Sequence, residues 1–212
     1  MNKNFRVGKL NFSENSRPIV VAEMSANHNH SLKRAKKIIK LAANTGVDMI
    51  KFQTYKPQTM TLKSSNSYFK IKDKKSIWKD KNLYELYKKA YTPWEWHEDL
   101  FREAYKNKVI PFSTPFDLSS LEFLENLKCK LYKVASFEIT DLPLLANIAK
   151  TKKPMIISTG MATQKEIFDA VKTIVKNGCN KFILLKCTSN YPASPSSSNL
   201  KTITDLKKKF KC

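Results

Sequence analysis

Two lysines stand where a lysine is costly. Lys51 lies in Met49-Ile50-Lys51-Phe52 and Lys133 in Leu131-Tyr132-Lys133-Val134, each inside or at the end of an apolar run. A buried ammonium needs an anion beside it. One way to meet that need is a structural bridge to Glu23 or Glu138. The other is a pocket for a phosphate or carboxylate, completed by the hydroxyls of Thr114, Ser136, Ser158 and Ser189. A Schiff-base lysine is a further catalytic option. Glu23 follows Ile19-Val20-Val21-Ala22, a run that suits a strand buried on both faces. A carboxylate at its end is expensive unless it has a partner or a task. Gln53, Asn27 and Tyr191 could bind a polyhydroxylated ligand, though each taken singly reads more readily as a satisfied polar group at a strand end. His28, His30 and His97 form no metal constellation by themselves. The spacing of His28-Asn29-His30 predicts an extended segment with the two rings pointing apart. Trp78, Trp94 and Trp96 read as packing residues.

The elements that must position these groups alternate strictly. Strands are predicted at 19–22, 48–53, 109–113, 131–135, 154–158 and 182–187. Ser31 can cap a helix with apolar spacing at Leu32, Ala35, Ile38, Ile39 and Ala42, which Gly46 can end. Further helices are predicted over 93–107, 118–127, 142–150 and 200–210. Thr163 and Glu166 spell a capping box for another, which stops at Gly178. Residues 54–91 read as an irregular, lysine-rich excursion over the end of the second strand. Six strand–helix units imply a parallel sheet with helices outside it. A doubly wound sheet would carry a glycine-rich phosphate turn after its first strand. The four glycines, Gly8, Gly46, Gly160 and Gly178, lie elsewhere. Polar residues recur instead at every strand end: Glu23, Gln53, Ser113, Ser136, Ser158 and Ser189. Contributions from all strands are the signature of a (β/α)8 barrel, and six units are two short of closure.

Composition narrows the classes. The 212 residues fit one domain, and 42% apolar content can fill a core. The net charge of +21 first suggests nucleic acid, but only four of the 39 basic residues are arginines. Base readout and phosphate forks favour arginine. The lysines are scattered, with short clusters such as Lys72–Lys75 and Lys207–Lys209. The expectation is a solvated lysine-rich surface rather than a nucleic-acid face. Cys129, Cys179, Cys187 and Cys212 show no zinc spacing, and a reducing cytoplasm is the simplest setting. Residues 1–16 hold no signal core, and no apolar run approaches a membrane span.

The wording of the strand ends resembles the sialic acid synthase family. The matching segments are Ala22-Glu23-Met24-Ser25-Ala26-Asn27-His28-Asn29, Lys51-Phe52-Gln53-Thr54, Phe112-Ser113-Thr114-Pro115-Phe116 and Tyr132-Lys133-Val134-Ala135-Ser136. Ile157-Ser158-Thr159-Gly160-Met161 and Lys186-Cys187-Thr188-Ser189-Asn190-Tyr191-Pro192 complete them. Six motifs in order, spanning about residues 17 to 210, make the resemblance specific. Met24-Ser25, Tyr91-Thr92-Pro93-Trp94-Glu95-Trp96-His97 and the segment from Ala135 to Pro143 are most similar to the pseudaminate branch. The neuraminate and legionaminate branches are the alternatives.

The resemblance implies a TIM-type (β/α)8 barrel that condenses phosphoenolpyruvate with an amino-sugar aldehyde. For the pseudaminate branch the sugar is a 2,4-diacetamido-2,4,6-trideoxy hexose. It implies Glu23 as the group that activates water. Lys51, Thr114, Lys133, Ser136, Ser158 and Ser189 are implied as phosphoenolpyruvate contacts, and Gln53, Glu138 and Tyr191 as the sugar side. It also implies a divalent cation, Mn²⁺ or Mg²⁺, held by two histidines after strands seven and eight. A C-terminal antifreeze-like domain is implied too, reaching over the partner's site in a homodimer. The 212 residues stop where strand seven would begin, so the expectation is an incomplete synthase barrel without metal ligands of its own. Such a chain is expected to be inactive and poorly soluble alone. A non-catalytic remnant, or one half of a split enzyme, is the reading from a different class.

Overall fold

The computed structural model describes residues 4–72, 78–190 and 192–212. They form two compact units, one of residues 20–123 and one of residues 4–19 with 124–212. The chain opens with an antiparallel hairpin in the second of these, β1 (Phe5–Val7) and β2 (Leu10–Phe12). Phe5, Val7, Leu10 and Phe12 are buried, and the rings of Phe5 and Phe12 stack at 4.9 Å. Two apolar residues on each strand, alternating with polar ones, are enough to define one face.

The unit of residues 20–123 runs β3 (Val21–Glu23), α1 (Leu32–Asn44), β4 (Met49–Thr54), α2 (Pro57–Met60), α3 (Leu83–Ala90), α4 (His97–Lys106), β5 (Ile110–Pro115) and α5 (Leu118–Asn126), the last crossing its boundary. The strands are parallel in the order β3-β4-β5, with Glu23 opposite Lys51, Lys51 opposite Phe112 and Gln53 opposite Thr114. Ser31 caps α1 by accepting from the Arg34 amide, and Gly46 leaves the helix with φ +82°. Two expectations need correction. The predicted first strand, 19–22, starts later, and it is not buried on both faces: Val20 is 51% exposed and Val21 39%. Within its unit β3 pairs with β4 alone, so its apolar run lies along an edge. The excursion 54–91 is also more regular than expected. It holds α2, a 3-10 turn (Ser67–Phe69) and α3. The Asn82 side chain caps α3 by accepting from the amides of Tyr84 and Glu85. Part of the lysine cluster Lys72–Lys75 lies outside the described residues.

The other unit continues with β6 (Tyr132–Val134), α6 (Leu142–Lys150), β7 (Met155–Ser158), α7 (Gln164–Lys176), β8 (Phe182–Leu185) and α8 (Lys201–Phe210). Its three strands are parallel in the order β6-β7-β8, with Lys133 opposite Ile156 and Ser158 opposite Leu185. The capping box of α7 is formed as read: Thr163 accepts from the Glu166 amide, and the Glu166 carboxylate accepts from the Thr163 amide. Buried Ile167, Ala170, Val171 and Ile174 line its inner face; Val175, which the helical spacing groups with them, is 45% exposed. Among the described residues no helix is long and apolar enough to cross a membrane.

Candidate active site

Side chains alternate across a strand, so the register sorts the strand-end residues into two faces. In residues 20–123, Glu23, Lys51, Gln53 and Thr114 share one face through the pairs Glu23–Lys51 and Gln53–Thr114. Lys51 forms an ion pair with Glu23, whose Oε1 also accepts from the Ser25 amide at 3.1 Å. The Lys51 side chain is 15% exposed and that of Glu23 41%, so solvent reaches the carboxylate. The bridge read from the sequence is therefore present. It does not use all of the polar groups beside it. Thr114 is 1% exposed, and its Oγ1 has no hydrogen-bond partner among the described residues. Native proteins rarely leave such a group unpaired, and an orphaned hydroxyl on a face with a lysine and a glutamine is a place for a ligand acceptor.

The opposite face of the same strands has a structural task. Phe52 packs on Phe101 at 5.7 Å. Burial pushes the His97 imidazole down to about 4, so it is neutral at neutral pH. Its Nδ1–H donates to the Pro93 carbonyl at 3.2 Å, which leaves Nε2 to accept from Thr54 Oγ1 at 2.9 Å. Thr54 Oγ1 in turn accepts from Ser113 Oγ at 2.7 Å. Ser113, read among the polar strand ends, is thus a fully buried link in a hydroxyl relay to α4. It sits one residue from Thr114 and serves the other side.

His28 and His30 depart from expectation. They lie in a tight turn, with Asn29 and His30 at φ +45° and +52°, and their rings meet at 5.9 Å instead of pointing apart. His28 is fully buried; its Nδ1 accepts from the His30 amide at 3.1 Å and its Nε2 donates to Thr92 Oγ1 at 3.2 Å. Burial first, and the His30 ring second, lower its pKa. Both ring nitrogens are engaged, so His28 has none left for a metal. Among the described residues no three histidine, cysteine, aspartate or glutamate side chains come together as ligands. The residues present do not fit the divalent cation that the resemblance implies. Two of the tryptophans pack, Trp94 on Phe123 at 4.5 Å and Trp96 edge-on to His28 at 5.7 Å, whereas Trp78, also read as a packing residue, is 44% exposed.

The second unit carries a cluster of its own. Lys133 is 8% exposed; its Nζ donates to the Val134 carbonyl at 2.7 Å and to Ser158 Oγ. Lys133 and Ser158 share a face because Ser158 lies two residues beyond Ile156, the partner of Lys133. The Cys187 thiol donates to the same Ser158 Oγ at 3.2 Å. Beyond Ser158 the chain passes through Gly160, and two hydroxyls crowd over it. A Cβ there would lie 2.5 Å from Ser189 Oγ, 2.9 Å from Ser136 Oγ and 3.3 Å from Cys187 Cβ. Lys133, Ser136, Ser158 and Ser189, dispersed over 57 positions of sequence, thus gather at one place. Cys187 and Gly160 join them without having been singled out as functional. Their signal was in the sequence as small residues inside two of the strand-end motifs. Glu138 follows Ser136 in a 3-10 turn (Phe137–Thr140); burial raises its carboxyl above the usual range, offset only in part by its own backbone amide and then by the Lys133 charge, and its Oε2 has no hydrogen-bond partner among the described residues. Tyr191, read as a sugar contact, lies outside the described residues.

Comparison with known proteins shows the family. The NeuB family model matches residues 38–212. The pseudaminic acid synthase of Campylobacter jejuni is 43% identical over 200 residues, 94% of this chain and 58% of that protein. That of Helicobacter pylori is 45% identical over 189 residues, 89% of this chain and 55% of that protein. The chain therefore spans somewhat over half the length of these relatives. The solved N-acetylneuraminic acid synthetase of Leptospira borgpetersenii superposes with a TM-score of 0.85 at 29% identity, covering 97% of this chain and 66% of that one. The fold is that of a (β/α)8-type barrel, represented here by six of its strand–helix units. The chain belongs to the NeuB family, the family of the sialic and pseudaminic acid synthases.

Proposed function

We propose that this chain carries the phosphoenolpyruvate-handling part of a nonulosonic acid synthase of the pseudaminate type. The observation that carries the reading is the setting of Lys133: a nearly buried ammonium on a strand, bonded to Ser158, in a cluster with Ser136 and Ser189. One fixed cation ringed by hydroxyl donors suits a phosphate or carboxylate. The orphaned Thr114 hydroxyl beside Gln53 and Lys51 supports the same ligand class in the other unit. Identity of 43–45% to two pseudaminic acid synthases favours the 2,4-diacetamido-2,4,6-trideoxy hexose as the second substrate.

In this reading phosphoenolpyruvate C3 forms a bond to the aldehyde carbon of the open-chain sugar, and the aldehyde oxygen takes up a proton. Water adds at C2 and gives its proton to Glu23, which Lys51 holds in place by their ion pair. The C2–O bond to phosphate then breaks, the remaining hydroxyl proton on C2 leaves with the phosphate, and C2 becomes the ketone of the product acid. The family resemblance assigns Lys51, Thr114, Lys133, Ser136, Ser158 and Ser189 to phosphoenolpyruvate, and Gln53, Glu138 and Tyr191 to the sugar. The homodimer belongs to the proposal on the resemblance, and the cytoplasmic setting on the cysteine pattern.

Phosphoenolpyruvate binding by calorimetry, with phosphate release in the presence of the sugar and Mn²⁺, tests the reading. Wild-type chain should bind phosphoenolpyruvate, and Lys133→Met or Lys51→Met should abolish measurable binding. In protein that turns over, either change should lower the rate by ~10²–10³, the scale of losing one preorganised electrostatic contact. Equal binding by the wild type and both variants would remove these lysines from the site and the proposal with them.

A further inference from the structure

Ser158 accepts two hydrogen bonds at once, from the Lys133 ammonium and from the Cys187 thiol. A hydroxyl oxygen has two lone pairs and one hydrogen. With both lone pairs occupied, the single Ser158 proton is turned to the one direction left, away from Lys133 and Cys187. A serine that could otherwise rotate freely becomes a donor of fixed aim. Gly160 has a complementary part. It is buried, and its φ lies outside the left-handed region, so conformational freedom does not explain it. Space does. Ser136 Oγ and Ser189 Oγ both fall within 2.9 Å of the point where its Cβ would stand, and real Cβ atoms do not tolerate such contacts. Cys187 closes the third side, its own Cβ 3.3 Å from that point. The two serines come from segments 53 residues apart, and only a residue without a side chain lets their hydroxyls converge.

We infer that Gly160 and Cys187 are positioning residues of the anion cradle: Gly160 by the space it leaves for Ser136 and Ser189, Cys187 by aiming the proton of Ser158. The inference rests on the phosphoenolpyruvate reading and adds to it two residues that touch no substrate. Gly160→Ala should push the hydroxyls apart and weaken the anion while leaving the fold intact. Cys187→Ala should free the Ser158 rotor, whereas Cys187→Ser keeps a donor at the same place. Neither effect of Cys187 should survive loss of the Ser158 hydroxyl.

The experiment is phosphoenolpyruvate titration, followed by calorimetry, of the full chain and its variants, with circular dichroism and thermal melting of each as the check on folding. Gly160→Ala should bind at least 10-fold more weakly. Cys187→Ala should lose about 5-fold, the scale of one net hydrogen bond, and Cys187→Ser should recover to within about 2-fold of wild type. In a double-mutant cycle, Cys187→Ala should cost nothing further in a Ser158→Ala background. A purely structural thiol would give additive losses and no rescue by serine. Should Gly160→Ala fail to fold, the cycle on Cys187 and Ser158 still decides. Wild-type chain that does not bind phosphoenolpyruvate overturns the functional reading itself. Wild-type binding with unchanged affinity in Gly160→Ala, or additive losses in the cycle, overturns this inference alone.

Discussion

At the scale of single residues, neighbouring positions on one strand carry opposite duties. Thr114 has a hydroxyl with no hydrogen-bond partner among the described residues, while Ser113 is spent on the relay through Thr54 to His97. The relay makes a pH-dependent contribution to stability. His97 sits at about 4 when folded, against about 6.5 in an unfolded chain. Between those values the unfolded chain holds a proton that the folded one lacks. Stability is therefore full above about pH 6.5 and declines as pH falls towards 4, by about 2 kcal/mol at pH 5. His28, shifted in the same direction, adds to the decline. Urea midpoints at pH 7.5 and pH 5 should show a larger acid-induced loss in wild type than in His97→Gln; equal losses would rule out His97 as the source. At this scale the lysines were legible in the sequence, because a charged residue in an apolar run is conspicuous. Ser113 was not distinguishable from its neighbours, since polarity at a strand end does not say which way a side chain faces. Nor was the meeting of His28 and His30, which two positive φ values create.

At the scale of elements, glycine illustrates how two positions of one residue type differ in cause. Gly46 ends α1 at φ +82° with nothing within 4 Å of where a Cβ would stand. Gly46→Ala should therefore lower stability by about 1–2 kcal/mol through backbone strain alone. Chemical denaturation should show that loss with phosphoenolpyruvate affinity unchanged. A neutral substitution would mean that the helix end relaxes to another conformation. Gly160 is expected to behave in the opposite way, sparing stability and losing the ligand. Helix boundaries were legible where caps were spelled out, as at Ser31 and at the Thr163–Glu166 box. The helix α3 was hidden because its lysine-rich surroundings obscured a short apolar spacing behind the Asn82 cap. The edge position of β3 was hidden for a different reason. An apolar run is read as buried, yet burial depends on what lies on each side of the strand, and that is not a property of the run.

At the scale of the whole molecule, charge is the dominant fact. A surplus of 21 positive charges on 212 residues opposes compaction through self-repulsion. Raising ionic strength from about 10 mM to about 150 mM shortens the screening length from about 30 Å to about 8 Å. The melting temperature should rise over that interval, measured by differential scanning fluorimetry in NaCl; a flat or falling profile would show that local ion pairs, such as Lys36–Asp99 and Lys153–Glu125, already balance the surface. The sequence by itself determined the strand–helix alternation, the capped helix ends and the family, because hydrophobic period, turn chemistry and ordered motifs are local and linear. It also named the lysines and serines from which a site could be built. Only the tertiary structure decided which of those residues meet. Strand register put Lys133 beside Ser158 and turned Ser113 away from Thr114. The absence of a side chain at Gly160 brought Ser136 and Ser189 together. Such proximity follows from the packing of segments far apart in the chain, which no local pattern encodes.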